Sequence, residues 1–501
     1  MDEYFKFEHE VTKAVWDEED GKWNISVKHG DHEFVDSCDI FINAGGLLSN
    51  WSWPKIPGID DFRGKLMHSA AWDQNYDFNG KKVAVIGIGS SSIQIVPQLA
   101  KNASKIGVYI RSRTWISPAP GINEPTKDDP DMDESYNFTP EVLERFKNDP
   151  EYLLNHRKQL ADRRTANFRR SMKGSKVQAD AQVMFTNSMR ERLGESEKGK
   201  NIAEILIPDF PVGCRRQTPG PGFLESLMQD NVETLKDNIE KITAKGIMGK
   251  DGIERPYDVV VCATGFDTSY RPRFPIIGRN GVDLGEKWTK EPPQSYFGIA
   301  TVGFPNYFRK IFLIHHTYCK YIYIYIRLLY IFFNTNCLLG FAGPNYPVSN
   351  GSLVAAIQIN AVYFYHCINK MQTQNIKSLE VRQDACDDYN THVQEWLKRS
   401  VWTAPCSSWY KRGTKDGRVV AVYAGTTFHY INAIKDPRWE DYNYKYIKDG
   451  SGVGSNRFAY MGNGFFMGEE EGHWSWGAVQ TNSFDDYWEL VTCPSKLKPY
   501  T

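Results

Sequence analysis

The chain has 501 residues, 41% hydrophobic and 24% charged, an ordinary globular composition in a length too great for one core, so two or more domains are expected. Lys and Arg number 60 against 61 Asp and Glu, and the net charge of −1 lacks the basic field that a nucleic-acid binder needs. Nine cysteines are scattered without a C-x-x-C pair or a Cys/His group at zinc spacing, which argues against a disulfide framework or a metal site and for a reducing, cytoplasmic setting.

No basic segment followed by an apolar one opens the sequence, so no signal peptide is expected. The first element is a hairpin: His9 to Trp16, a turn over Glu18 to Lys22, then Trp23 to Lys28 alternating apolar and polar. Cys38-Asp-Ile-Phe-Ile-Asn-Ala44-Gly45-Gly46 is a short apolar run ending in small residues. It reads equally as a plain core strand and as a parallel strand whose carboxyl end approaches a ligand.

Lys81 to Ile86 is a clearer buried strand, running directly into Gly87-Ile-Gly89-Ser90-Ser91-Ser92 and an amphipathic stretch from Ile93 to Ala100. In this order the first glycine makes a tight turn and the second lets backbone N–H groups approach a pyrophosphate. The helix N-terminus then favours the negative charge. Ser92 replaces the third glycine, and Pro97 is expected to kink or adjust the helix. The next strand, Lys105 to Ile110, ends in Arg111-Ser-Arg113 where an acid would bind a free ribose hydroxyl. A guanidinium there clamps a 2′-phosphate, which favours NADPH over NADH; the alternative is a solvated strand end.

From Thr139 to about Gly199 the sequence is helical and highly charged, read as a helical insertion with solvated faces. Sheet returns at Asn231 to Leu235 and at Ile239 to Ile242. Tyr257-Asp-Val-Val-Val-Cys-Ala263-Thr264-Gly265-Phe266 then repeats the design of Cys38 to Gly46. Two such strands point to two nucleotide-binding domains. Residues 309–340 differ from their surroundings: Lys320 and Arg327 interrupt the apolar run, so it makes a poor membrane helix, and no membrane association is expected. Tyr321-Ile-Tyr-Ile-Tyr-Ile326 is what a TATATA repeat encodes, and the tract reads as a translated intron, with a genuine insertion as the alternative.

Phe62-Arg-Gly64-Lys-Leu-Met-His68-Ser-Ala-Ala-Trp72-Asp73 matches F-x-G-x-x-x-H-x-x-x-W-[PD]. This fingerprint resembles that of the class B flavoprotein monooxygenases, and specifically of the Baeyer–Villiger monooxygenases. The resemblance continues through Trp53-Pro-Lys-Ile-Pro-Gly58, Gly87 to Gln94, Val212-Gly-Cys-Arg215-Arg216, Ala263 to Phe266, Gly303 to Tyr307 and Gly343-Pro-Asn345. It implies an enzyme using FAD, NADPH and O2 to oxidise a ketone to an ester or lactone through a C4a-peroxyflavin. It assigns the active-site arginine to Arg216, 2′-phosphate binding to Arg215 with Arg111, and cofactor contacts to Gly87, Gly89, Ser90, Ser91, Gln94, Ala44, Gly45, Thr264 and Gly265. His68 is expected to make hydrogen bonds in a hinge rather than to transfer protons.

The implied fold is α/β, with two Rossmann-like dinucleotide-binding domains, a helical insertion, and an FAD domain incomplete at its N-terminus. Its expected divisions are 1–75 (FAD segment and linker), 76–121 and 212–264 (NADP domain), 122–211 (insertion) and 265–501 (C-terminal FAD segment). An FAD-binding G-x-G-x-x-G turn is expected before Cys38 and is not found, so a truncated gene is the reading at the front. Gly450 to Gly454 reads as a flexible turn. The flanking sequence resembles fungal secondary-metabolism members acting on versicolorone-type polyketides in the aflatoxin and sterigmatocystin pathways. A heteroatom-oxidising flavin monooxygenase and a non-catalytic NADPH-binding remnant are the alternatives, and the oligomeric state is left open.

Overall fold

The computed structural model describes residues 6–46, 48, 50–118, 138–236, 238–309, 329–332, 343–347, 353–447 and 456–461. The expected hairpin forms as β1 (His9–Asp17) and β2 (Lys22–His29), with Trp16 opposite Trp23. A third strand the sequence reading lacks, β3 (His32–Cys38), extends it, and Asp39 leads into β4 (Ile40–Asn43), buried along its whole length. The indole of Trp23 is fully buried and donates to the Pro305 carbonyl at 2.8 Å, fixing this meander to a chain segment 282 residues away.

The largest sheet is parallel. Its strands are β5 (Lys65–His68), β6 (Lys82–Ile86), β7 (Lys105–Ile110) and two that come later in the chain, Val232–Lys236 and Val259–Cys262. Between β6 and β7 runs α1 (Ser90–Leu99), which continues through Pro97. The proline removes one amide donor, yet Ala100 N still donates to Val96 O at 2.9 Å. After β7 comes the short β8 (Ile116–Ser117).

The helical segment consists of α2 (Pro140–Asn148), α3 (Pro150–Ala166), α4 (Lys176–Leu193) and α5 (Glu197–Leu206). It is not simply a solvated coat. Phe185, Met189 and Leu193 recur every four residues along α4, and with Ile202 and Leu206 of α5 they are buried in the same apolar cluster as Val83, Val85, Ile106 and Val108. The charges that dominate the sequence occupy the opposite sides, hiding a narrow apolar stripe. The chain then makes β9 (Thr218–Pro219), paired parallel to β8, and α6 (Phe223–Leu227).

Next follow β10 (Val232–Lys236), the antiparallel β11 (Lys241–Ile242), β12 (Gly246–Met248) and β13 (Glu254–Pro256), and then β14 (Val259–Cys262). The parallel order is β10-β7-β6-β14-β5. Period-two alternation divides its core. Val83, Val85, Val259 and Val261 face the helices, whereas Ala84, Ile86, Val260 and Cys262 lie in a second cluster with Ile242 and Ile247 of the small antiparallel sheet. The strand Lys65–His68 therefore sits in this sheet, pairing with Val259–Cys262, although the sequence division at residue 75 puts it in a linker. Four residues of mixed polarity carry too little periodicity to announce a strand whose partner lies nearly 200 positions away.

Beyond it, β15 (Ile276–Ile277) pairs parallel with β1, and β16 (Tyr307–Arg309) and β17 (Leu329–Phe332) flank β4 in the order β16-β4-β17. Apart from Arg309 and β17, the tract read as a translated intron lies outside the described residues, as do Gly450 to Gly454. A smaller unit, Ile368–Lys377 with Tyr444–Thr501, separates from the rest; within it Ile447 N donates to Asn375 O at 2.9 Å and the Lys370 ammonium lies 5.6 Å from the Tyr444 ring centre. No described helix is long and apolar enough to cross a membrane. Cysteine spacing argues against a disulfide framework, yet Cys214 and Cys406 are bonded. Their 192-residue separation makes the pair a product of tertiary contact, invisible to local spacing.

Candidate nucleotide and oxygenation site

The turn between β6 and α1 has the backbone that its glycines imply. Gly87 has φ +107°, and a Cβ built there would lie 2.6 Å from the Ala263 carbonyl oxygen at the end of β14. Only glycine lets the two strand ends meet this closely. A Cβ on Gly89 would meet nothing within 4 Å, so the space before the helix is open. Gly89 is the N-cap of α1 and no side chain caps the helix, which leaves first-turn N–H groups to face an incoming anion. Gln94 donates to the Ser90 carbonyl at 2.8 Å and braces the first turn. Ser91 follows Ser90 in that turn, and Ser92 is buried under it, where a larger side chain would push helix from strand.

The arginines divide between roles. Arg113 lies 3.9 Å from Asp209. Arg215 donates from Nη1 to the Arg113 carbonyl at 2.8 Å and to Ser112 Oγ at 3.1 Å, which anchors it at the end of β7. Burial, and then the neighbouring positive charge of Arg111, press the Arg215 pKa downward. Two guanidiniums that feel each other's charge, one half-buried, would suit a dianion such as a phosphate. Two residues past Arg216, Thr218 Oγ1 shares a hydrogen bond of 2.7 Å with Ser90 Oγ. The segment Arg215–Thr218 is thus stitched between the end of β7 and the first residue of α1. Sequence reasoning missed Thr218, a side chain with no motif of its own.

Arg216 itself is exposed and lies near the buried Tyr410, where its charge opposes the larger effect of burial; the Tyr410 phenol stands at about 12. Tyr410 is a second neighbour that no local pattern indicates, being 194 positions away.

The fingerprint residues secure the edge of the parallel sheet. Phe62 is buried in the cluster containing Ile86 and Cys262, and a Cβ on Gly64 would strike the Asp258 carbonyl at 2.5 Å. Trp72 stacks on Phe78 at 5.3 Å, and Asp73 accepts from the Lys65 ammonium at 2.5 Å, which holds its carboxyl below the usual range. His68 is fully buried, stacked on Trp51 at 4.4 Å with Trp53 edge-on at 6.0 Å. Ala70 N donates to His68 Nδ1 at 3.1 Å, so Nε2 carries the proton in the neutral ring and faces Thr264 Oγ1 at 3.4 Å. Burial lowers its pKa, and a backbone bond to Gly265 opposes that shift. A buried ring with these contacts to both strand ends suits positioning rather than proton transfer.

At the end of β4, Gly45 N donates to Asn43 Oδ1 at 3.0 Å, and Asn43 Nδ2 donates to the Tyr307 hydroxyl at 3.1 Å, which shapes the Asn43-Ala44-Gly45 turn. Gly265 has φ +89° with nothing within 4 Å of a built Cβ, so Thr264-Gly265 is open to a close ligand. Farther along, Asn345 Oδ1 and the Tyr346 hydroxyl are buried without a protein partner. Open small-residue turns at strand ends and unpaired buried polar atoms suit a flavin dinucleotide. Among the described residues no group of three or more His, Cys, Asp or Glu could hold a metal ion.

The flavin-binding monooxygenase-like family is matched over residues 3–120. The chain is 34% identical over 481 residues to the FAD-binding monooxygenase moxY of Dothistroma septosporum, covering 94% of this chain and 69% of that one. It is 28% identical over 425 residues to a Baeyer–Villiger monooxygenase of Pseudomonas aeruginosa, covering 84% and 70%. Its fold matches the NADP+-bound cyclohexanone monooxygenase of Rhodococcus sp. Phi1 with a TM-score of 0.69 at 22% identity, over 89% of this chain and 81% of the other.

Proposed function

From the premise that this chain belongs to the class B flavoprotein monooxygenases, FAD- and NADPH-dependent enzymes of the Baeyer–Villiger type, we propose that it inserts an oxygen atom beside a ketone carbonyl to give an ester or lactone. The observation that carries this reading is the stitching of Arg215–Thr218 between the end of β7 and the first residue of α1, which brings Arg215 beside Arg111 and Thr218 to the glycine turn.

The N–H groups at the start of α1 bind the NADPH pyrophosphate, with Gly87 closing the turn against Ala263, Gly89 leaving it room and Gln94 bracing the turn. Arg111 and Arg215 hold the 2′-phosphate, and Ser90 and Ser91 line its approach. Ala44, Gly45, Thr264 and Gly265 receive FAD where side chains would obstruct it. Bound FAD supplies the activation of O2 with electrons drawn from NADPH. The exposed Arg216 guanidinium stabilises the negative charge that grows on the ketone oxygen as its carbon becomes tetrahedral. His68 keeps the Thr264 turn in register with the fingerprint strand. The substrate class we propose is a polyketide-derived ketone, in keeping with the fungal origin of the FAD-binding monooxygenases it resembles.

The test is product analysis with FAD, NADPH and 18O2, offering a cyclic ketone and a thioether. Label in a lactone supports the reading, whereas label only in a sulfoxide refutes it. Arg216→Ala should lower kcat about a hundredfold or more, with NADP+ affinity within about threefold; an unchanged kcat removes Arg216 from the chemistry.

A further inference from the structure

Cys214 immediately precedes Arg215 and Arg216, and its partner Cys406 precedes Tyr410 by four residues. Both cysteines are buried and form a small apolar cluster with Ala404, and the flanking Phe210 packs against both this cluster and the large helix-facing one of the parallel sheet. The arginine side of the bond is a tight turn: Cys214 N donates to Pro211 O at 3.1 Å, and Gly213 has φ +90°. The other side is pinned by the buried Lys411, which donates to the Ala404 carbonyl at 2.5 Å, and by Lys173, which donates to Thr403 Oγ1 at 2.6 Å. The bond is therefore the covalent tie between the arginine turn and a firmly held C-terminal segment. The described free cysteines are different: Cys38, Cys262, Cys367 and Cys386 are each buried singly, with thiols pushed up by burial.

We propose that Cys214 and Cys406 are a thiol–disulfide switch that positions Arg215 and Arg216: the closed bond sets the arginine turn for gripping a 2′-phosphate, and opening it slackens that grip. The proposal rests on the reading of Arg111 and Arg215 as the 2′-phosphate cradle. Opening consumes a dithiol. Because both sulfurs are buried, the arginine turn must first open locally; a reductant thiolate then attacks one sulfur, the S–S bond breaks, and the reductant's second thiolate attacks the mixed disulfide and releases the second cysteine. Two electrons pass to the protein, Cys214 and Cys406 each gain a proton, and the reductant leaves as its own disulfide. Closing consumes glutathione disulfide: one cysteine thiolate displaces a glutathione to give a mixed disulfide, the other displaces the second glutathione as the S–S bond forms, and the two glutathiones leave with the two protons. In a reducing cytoplasm such a bond is transient, which suits a sensor rather than a structural staple.

Binding and redox state must be linked reciprocally. If closing the bond tightens NADP+ binding by some factor, NADP+ favours the closed bond by the same factor. An ordered arginine turn predicts about tenfold, which for a two-electron couple is about 30 mV. The experiment uses the full chain with FAD added, equilibrated with glutathione disulfide or with dithiothreitol. Its readouts are peptide mapping of the Cys214–Cys406 link and calorimetric Kd values for NADP+ and NAD+.

The expected result is NADP+ binding about tenfold weaker after reduction, NAD+ binding little changed, and Cys406→Ser indifferent to redox state with the reduced form's affinity. General softening of the fold would weaken both nucleotides alike and would overturn a positioning role. Equal NADP+ affinity in the two states, or alkylation of both thiols after glutathione disulfide treatment, overturns the switch alone. No NADP+ binding in either state removes the cofactor reading and the switch with it. If Cys406→Ser fails to fold, the two states of the unmodified chain still decide.

Discussion

Gly87 and Gly89 flank one residue in the same turn, and their substitution by alanine should separate folding from binding. At Gly87 the alanine must adopt φ +107°, and its Cβ would begin 2.6 Å from the Ala263 oxygen. An L-residue in so sparsely populated a conformation costs about 1–3 kcal/mol. The contact must also open by about 0.4 Å before it reaches even a tight separation, and the atoms that yield are backbone of Ala263, just past β14, tied by its N–H to the Ile86 carbonyl. Together these give about 2–4 kcal/mol lost on folding. At Gly89 the backbone is extended and the Cβ meets open space, so stability should stay within about 0.5 kcal/mol while the methyl obstructs the incoming pyrophosphate. Urea titration followed by tryptophan fluorescence reads the first effect, and NADP+ calorimetry on each folded variant reads the second. Gly89→Ala with full NADP+ affinity, or Gly87→Ala as stable as the parent, would refute the account of this turn.

Arg111→Gln and Arg215→Gln should each weaken NADP+ by about tenfold to a hundredfold and NAD+ far less; parallel Kd measurements would reveal a merely structural arginine by equal losses. His68 has a folded pKa below its unfolded value, so protonation favours the unfolded chain. Its contribution is present above about pH 6.5 and is lost as pH falls toward the folded pKa. Denaturation curves of the parent should therefore weaken on acidification through that window more than those of His68→Gln, and parallel curves would count against the neutral ring. Arg279 bridges Glu18 and the buried Glu380, whose other oxygen accepts from Gly303 N at 2.6 Å. Arg279→Met should cost about 3 kcal/mol by stranding a buried carboxylate, and a double variant with Glu380→Gln should recover part of it.

Local chemistry was legible wherever a motif is contiguous. The run from Lys82 to Gln94 contains its own strand, turn and helix start, and the structure places each there. The Trp16–Trp23 hairpin is equally local, because alternation and a short turn set its register. The apolar stripe of α4 was legible in principle, but the charges around it dominate the composition of the segment.

Tertiary structure alone decided the rest. The sequence determined that residues 81–113 form a glycine turn between buried strands and that basic side chains follow the second strand. It could not determine which arginine faces which neighbour: Arg113 turns to Asp209, while Arg215 returns from a hundred residues downstream to the end of β7. Nor could it place Lys65–His68 in the parallel sheet, Thr218 against Ser90, or Cys214 against Cys406. Periodicity and turn chemistry act over a few residues, whereas these contacts exist only because burial of the two sheet faces brings distant segments to the same strand ends.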